Sequence, residues 1–172
     1  MSEYQATYVP PAVFPVVLED AIELMLPALN LSSGRHSPDT LRHALIEERW
    51  QLWMCYRTSD NKSVAALASE IMHYPCRKML NLLFCGGEDV EGWYDPLLDA
   101  TEVFARQNGC MGMELVGRRG WERLLRKRGW DAKHVVCELE FKEPETKNVT
   151  PFHSKPHPED LEEEEKLVGV AS

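Results

Sequence analysis

Apolar and polar positions along the 172 residues recur at two periods, and each change of period marks an element. From Glu19 to Leu29 the apolar residues Ile22, Leu26 and Leu29 share one stripe at helical spacing, which predicts a first helix. Pro27 falls near the C-terminal end of that helix and disturbs its last turn. Ser37-Pro38-Asp39 combines an N-cap serine, a proline suited to the first helical position and an acid in the first turn. A second helix is therefore expected, turning Leu41, Ala44 and Leu45 inward. The period then drops to two. Trp50 to Arg57 alternates and is aromatic, Ser59-Asp60-Asn61-Lys62 has turn chemistry, and Ser63 to His73 reads as the return strand. Met79 to Cys85 follows as a third strand, and Val13 to Leu18 is a candidate for one more ahead of the first helix.

The central helix has the clearest limits: Asp95 to cap it, Pro96 at its first position and Gly109 just past its end. Leu97, Leu98, Thr101, Phe104 and Ala105 make its inner face. Met111 to Val116 is expected as a strand, Arg119 to Arg128 as a short helix stopped by Gly129, and Val135 to Phe141 as a closing strand. Beyond it, PETKNVTPFHSKPHPEDLEEEE is rich in proline and charge and too poor in apolar residues to build a core. The expected organisation is one domain over residues 1–142 and an acidic, proline-rich C-terminal tail over 143–172.

The element order, two helices, three strands, then helix, strand, helix and strand, resembles the Gcn5-related N-acetyltransferase (GNAT) fold. That is a mixed α+β architecture with a mostly antiparallel sheet flanked by helices. The closing stretch MELVGRRGWERLLRKRGWDAKHVVCELEF carries the most specific part of the likeness. Its pattern G-R-x-G-W-x-x-x-L-x-x-x-G-W is similar to that of small acetyltransferase-like proteins of tailed phages. The resemblance implies a site for acetyl-coenzyme A at the turn between the strand ending near Cys85 and the central helix. In the family that turn reads Gln/Arg-x-x-Gly-x-Gly/Ala, and its N–H groups hold the pyrophosphate. Here the turn is LFCGGEDVEGWYDP. Cys85, Gly86, Gly87 and Gly92 are the matching cofactor-binding candidates, and Arg118 and Arg119, with Arg123, are candidates for the adenosine phosphate. The turn lacks Arg, Lys or Gln among its glycines and instead carries Glu88, Asp89, Glu91 and Asp95. Four carboxylates repel a polyanion, by about 4 kcal/mol per close pair at an intermediate dielectric. The expectation is that no cofactor binds.

Catalytic candidates implied by the resemblance are equally sparse. Family members place a general base, commonly glutamate, on the central strands and a tyrosine on the later helix. The later helix here has no tyrosine. Glu70 and His73 are the base candidates, and Tyr94 or Cys85 the acid candidates.

Charge changes the picture in one place. The net charge is −9, yet residues from Glu143 onward carry eight acids against three lysines, so more than half of the acidity belongs to the tail. Within the body, Arg118 to Arg128 crowds six basic side chains. Trp121, Leu124 and Leu125 form the apolar stripe of that helix, which leaves the basic residues as a solvated face, a docking surface for an acidic partner (the chain's own tail included) or a phosphate-contacting patch. No stacking platform accompanies them, so the cluster is by itself a weak signal of nucleic-acid binding through Arg118–Arg128. Five cysteines without a C-x-x-C pair are expected as reduced, buried thiols, and no Cys/His spacing suits a metal. No membrane span and no secretory signal are read in the sequence. The expected function is a catalytically degenerate GNAT-like module with a structural or interaction role. Its expected setting is host-cell cytoplasm or a phage virion, with other proteins, virion components among them, as partners. The alternative is an active, acetyl-CoA-dependent N-acetyltransferase.

Overall fold

The computed structural model describes residues 3–140. The chain divides into two units, Met1–His134 and Val135–Ser172. The first contains strands β1 (Tyr4–Val9), β2 (Gln51–Arg57), β3 (Ser63–Tyr74), β4 (Arg77–Gly87) and β5 (Gly112–Leu115). Its helices are α1 (Phe14–Leu29), α2 (Pro38–Ile46), α3 (Val90–Gln107) and α4 (Arg119–Arg126), with a 3-10 turn at Pro11–Val13. The strands lie in sequence order in one sheet, antiparallel except for the parallel β4–β5 pair.

The sheet buries both faces. Along β2, Leu52 and Met54 join Phe14, Ile22, Met25, Leu41 and Leu45 of α1 and α2 in one core. Trp53 and Cys55, pointing the other way, join Leu97 and Leu98 of α3 and Leu124 and Leu125 of α4 in a second. A polar chain in the middle is satisfied: the Trp53 indole donates to Ser69 Oγ at 2.9 Å, which donates to Gln51 Oε1 at 3.0 Å.

Several expectations hold in detail. Ser37 caps α2 in a capping box with Thr40, and Leu41, Ala44 and Leu45 are buried. Gly109, at φ +70°, ends α3 as read. Three differ. Val13 to Leu18 belongs to the 3-10 turn and α1 rather than to a strand, because Phe14 and Leu18 start the stripe that continues through Ala21, Ile22, Met25 and Leu29. The first strand is instead Tyr4–Val9, a short alternating run that the sequence reading passed over. Helix α3 begins at Val90, five residues before the expected cap, and Pro96 sits inside it. Burying Trp93 and Tyr94 in the added turns outweighs the backbone hydrogen bond that Pro96 lacks, a cost of about 3 kcal/mol.

In the second unit, Val135 to Glu140 form neither helix nor strand, against the expected closing strand. The alternating pattern is present, but no strand pairs with it among the described residues, and Val135 and Leu139 are 87% and 79% exposed. Phe141, the expected domain boundary and the acidic tail lie outside the described residues.

Replacing the α2 cap, Ser37→Ala, is expected to lower the unfolding free energy by about 1 kcal/mol. Urea titration followed by circular dichroism reads this as a shifted midpoint with an unchanged slope.

Candidate functional site

The parallel β4–β5 pair runs for four residues, from Met79↔Gly112 to Leu82↔Leu115. Beyond it β5 ends, while β4 bulges at Leu83, where the β3–β4 register slips between Ala68↔Phe84 and Ser69↔Leu82, and continues to Gly87. The two strands thus part and leave a wedge between Cys85 and Leu115. Side chains fill it. Trp93 and Tyr94 enter from α3 and Trp121 from α4, the two indoles 6.4 Å apart between centroids. What remains is an apolar cavity of about 10 Å³, the space of one water molecule.

The glycines of the adjoining turn are taken up by the chain itself. A Cβ on Gly86 would lie 2.0 Å from the carbonyl oxygen of Leu24 in α1, and one on Gly87 would lie 2.4 Å from that of Val64 in β3. At Gly92 the same position meets the Tyr4 ring at 2.6 Å. The absent side chains admit backbone and ring rather than opening a cradle. Three of the turn's backbone polar groups are likewise committed. Glu88 N–H donates to Val64 at 3.3 Å, Gly92 N–H to Asp89 at 3.0 Å, and the Glu88 carbonyl accepts from the Trp93 indole. Asp89, left-handed at φ +53°, leads into α3 without a side-chain cap, and Glu91 occupies the first turn. In this placement the glycines pack against backbone and ring, indoles line the wedge beside them, and the side chain in the first turn of α3 is acidic.

Arg118 is the residue before α4 and Arg119 its first; both are exposed, as is Arg123. Arg126 pairs along the helix with Glu122 at 2.7 Å. Arg128 departs from the solvated face expected of the cluster. It bridges to α3, bonding Asp95 at 2.8 Å and also Asp99. Asp95, which the sequence reading set near the coenzyme, and Asp99, one turn further along α3, hold the C-terminal end of α4 in place.

The catalytic candidates separate into two groups. Cys85 and Tyr94 line the small cavity together. Burial pushes both groups up in pKa, aided at Cys85 by Cys55 and at Tyr94 by the neighbouring Asp95. Both therefore keep their protons at neutral pH. Glu70 and His73 stand elsewhere. Glu70 is opposite Asn81 and His73 opposite Lys78, toward the β3–β4 hairpin. Five and eight residues of strand separate those positions from Gly86, about 16 Å and about 26 Å. Glu70 does acquire a companion that the sequence reading missed. Asn81 is also level with Glu114 of β5, so Glu70, Asn81 and Glu114 make one polar row across three strands. The Tyr74 hydroxyl donates to Glu114 at 2.6 Å, and that bond, with burial, raises the tyrosine pKa. The missed signal was Glu114's place in an otherwise apolar strand.

Cys55, Cys76, Cys85, Cys110 and Cys137 are all free thiols. Cys55 is buried, with its pKa pushed up to about 11 by desolvation, but Cys76 and Cys137 are exposed, contrary to the expected burial. Among the described residues no group of three His, Cys, Asp or Glu side chains converges on a possible metal position, and no helix is long and apolar enough to cross a membrane.

No family model matches the sequence, and no curated protein does. Solved structures do. An aminoglycoside acetyltransferase from an uncultured soil metagenomic sample is 12% identical, with a TM-score of 0.61 over 82% of this chain and 98% of that one. A putative acetyl transferase from Pyrococcus furiosus is 13% identical, with a TM-score of 0.61 over 81% and 100%. Glucosamine-6-phosphate N-acetyltransferase from Arabidopsis thaliana is 12% identical, with a TM-score of 0.57 over 80% and 98%. At such identities the likeness is one of fold: a mixed α+β GNAT architecture.

Two predictions follow from the glycine packing and the thiols. Gly86→Ala is expected to cost about 1–3 kcal/mol of stability, because its new methyl collides with backbone, whereas Gly120→Ala on α4, with no atom within 4 Å, should gain about 1 kcal/mol. Thermal melts of the two variants distinguish packing glycines from spare ones. Native-state alkylation read by mass spectrometry should modify Cys76 and Cys137 while Cys55 remains unmodified until the protein unfolds.

Proposed function

We propose that this chain is a GNAT-like protein without thioester turnover, whose fold serves as a structural or interaction module. The observation that carries the reading is the wedge between β4 and β5. Indole rings occupy it, and the glycines beside it make room for Leu24, Val64 and Tyr4 of the same chain. Packing and site chemistry reside on different residues, so a fold can persist after its chemistry is gone. The G-R-x-G-W ending, similar to that of small acetyltransferase-like phage proteins, supports a setting in a virion or its assembly, within the host cytoplasm. Partners are other proteins. The exposed residues Arg118, Arg119 and Arg123 suit an acidic surface better than a nucleic acid, since no base-stacking platform accompanies them.

A second reading, an active acetyl-CoA-dependent N-acetyltransferase, draws on the row of Glu70 and Glu114, whose carboxylates suit a cationic amine. The acetyltransferases named among the structural neighbours are consistent with it. In that reading Gly86, Gly87 and Gly92 would have to release their present packing to admit the coenzyme.

Titrating the full chain calorimetrically with acetyl-coenzyme A is expected to give no binding heat up to about 1 mM, a ceiling of about −4 kcal/mol on any affinity. Saturable binding in the micromolar range would overturn the first reading. Mass spectrometry of purified particles tests the virion setting separately, and absence from them would remove it.

A further inference from the structure

We propose that two copies of this chain pair edge to edge through β1, joining their sheets across a two-fold axis at Ala6. Strand β1 ends the sheet order, and its inner side pairs with β2 from Tyr4↔Arg57 to Val9↔Leu52. The Glu3 carbonyl faces β2, where it accepts from Thr58 N–H at 2.9 Å. The two-residue alternation of a strand therefore turns the peptide groups of Ala6 and Tyr8 to the open side. Edge strands are ordinarily blunted by lysine, proline or an inward charge. Tyr-Gln-Ala-Thr-Tyr-Val has none of these.

A groove of about 550 Å³ runs beside this edge. Tyr8, Trp53 and Phe104 form its aromatic floor, with Tyr8 stacked on Phe104 at 5.8 Å and edge-on to Trp53 at 5.6 Å. Pro96, Ala100 and Val103 of α3 line its wall at i, i+4 and i+7, one helical stripe. Val103 is 54% exposed. Among the described residues, nothing covers either the open edge or the apolar stripe, and the two lie side by side.

The occupant that satisfies both is a second copy. Antiparallel pairing of β1 with itself about Ala6 sets alanine against alanine on the axis, Tyr4 against Tyr8, and Gln5 against Thr7. Aromatic pairs meet and no like charges do, which is the cross-strand arrangement that stabilises a sheet. The axis stands perpendicular to the sheet, so both α3 helices fall on one face and run antiparallel. They meet near Ala100, a residue small enough for close approach, and Val103 of each copy comes level with Pro96 of the other. Charge agrees as well. Arg106, near the end of α3, comes level with Asp95 of the second copy; within one copy each already has a partner, Glu102 and Arg128, yet the side chains stay 75% and 52% exposed and can take a second one. Such an interface is isologous and closes at two subunits.

Sedimentation velocity on the full chain, from about 1 µM to about 300 µM, reads the proposal directly. A dimer of twice 19.7 kDa is expected to dominate at the upper end. Val103→Lys places a charge against Pro96 of the second copy and should weaken the dimer at least tenfold, while leaving the melting temperature of the monomer, read at about 1 µM, unchanged. Ala6→Pro removes an outward N–H while leaving the β1–β2 ladder its bonds, and should weaken the dimer similarly. A monomer throughout that range overturns the proposal, including a monomer that binds some other extended peptide. So does a dimer whose dissociation constant Val103→Lys leaves unchanged.

Discussion

The parting of β4 and β5 after four shared residues is the constraint around which the rest of the first unit is arranged. A wedge opened inside a sheet has to be filled, because an apolar gap loses the contacts of every atom that lines it. Trp93, Tyr94 and Trp121 do the filling, and their positions dictate where α3 starts and how α4 lies. Helix α3 reaches back to Val90 to deliver the first two. Arg128, anchored on Asp95 and Asp99, holds α4 so that Trp121 can deliver the third.

This arrangement explains why glycines and carboxylates coexist in one turn. Glycine is needed wherever backbone approaches backbone closely, and here α1, β3 and the Tyr4 ring all press on the same few residues. One of the acids beside them, Asp95, serves as an anchor for Arg128. Family likeness in the fold and departure in the turn therefore have a common physical origin.

Much of this was legible in the sequence, and the exceptions are instructive. The α2 cap, the β2–β3 hairpin and the Gly109 stop are local signals, readable because each involves neighbours along the chain. Val13 to Leu18 misled because a short apolar run with three valines looks strand-like until the longer stripe through Met25 and Leu29 is taken into account. Pro96 misled for the opposite reason: a local signal for a helix start was overridden by burial one turn earlier. At the candidate site, the repulsive carboxylates were apparent from composition alone. The packing of Gly86 on Leu24 was not, since 62 residues of chain separate two atoms that the fold brings together. Glu114 became noticeable only when strand register set it level with Glu70.

The two-sided burial of the central strands has a wider mechanical meaning. Leu52 and Trp53 are adjacent in the chain yet belong to different cores, so a single pleated ribbon is the party wall between them. Interiors packed to crystal-like density deform little. A volume change beneath α1 must then push the ribbon toward α3, and the wedge with its indoles feels what happens on the far side of the sheet.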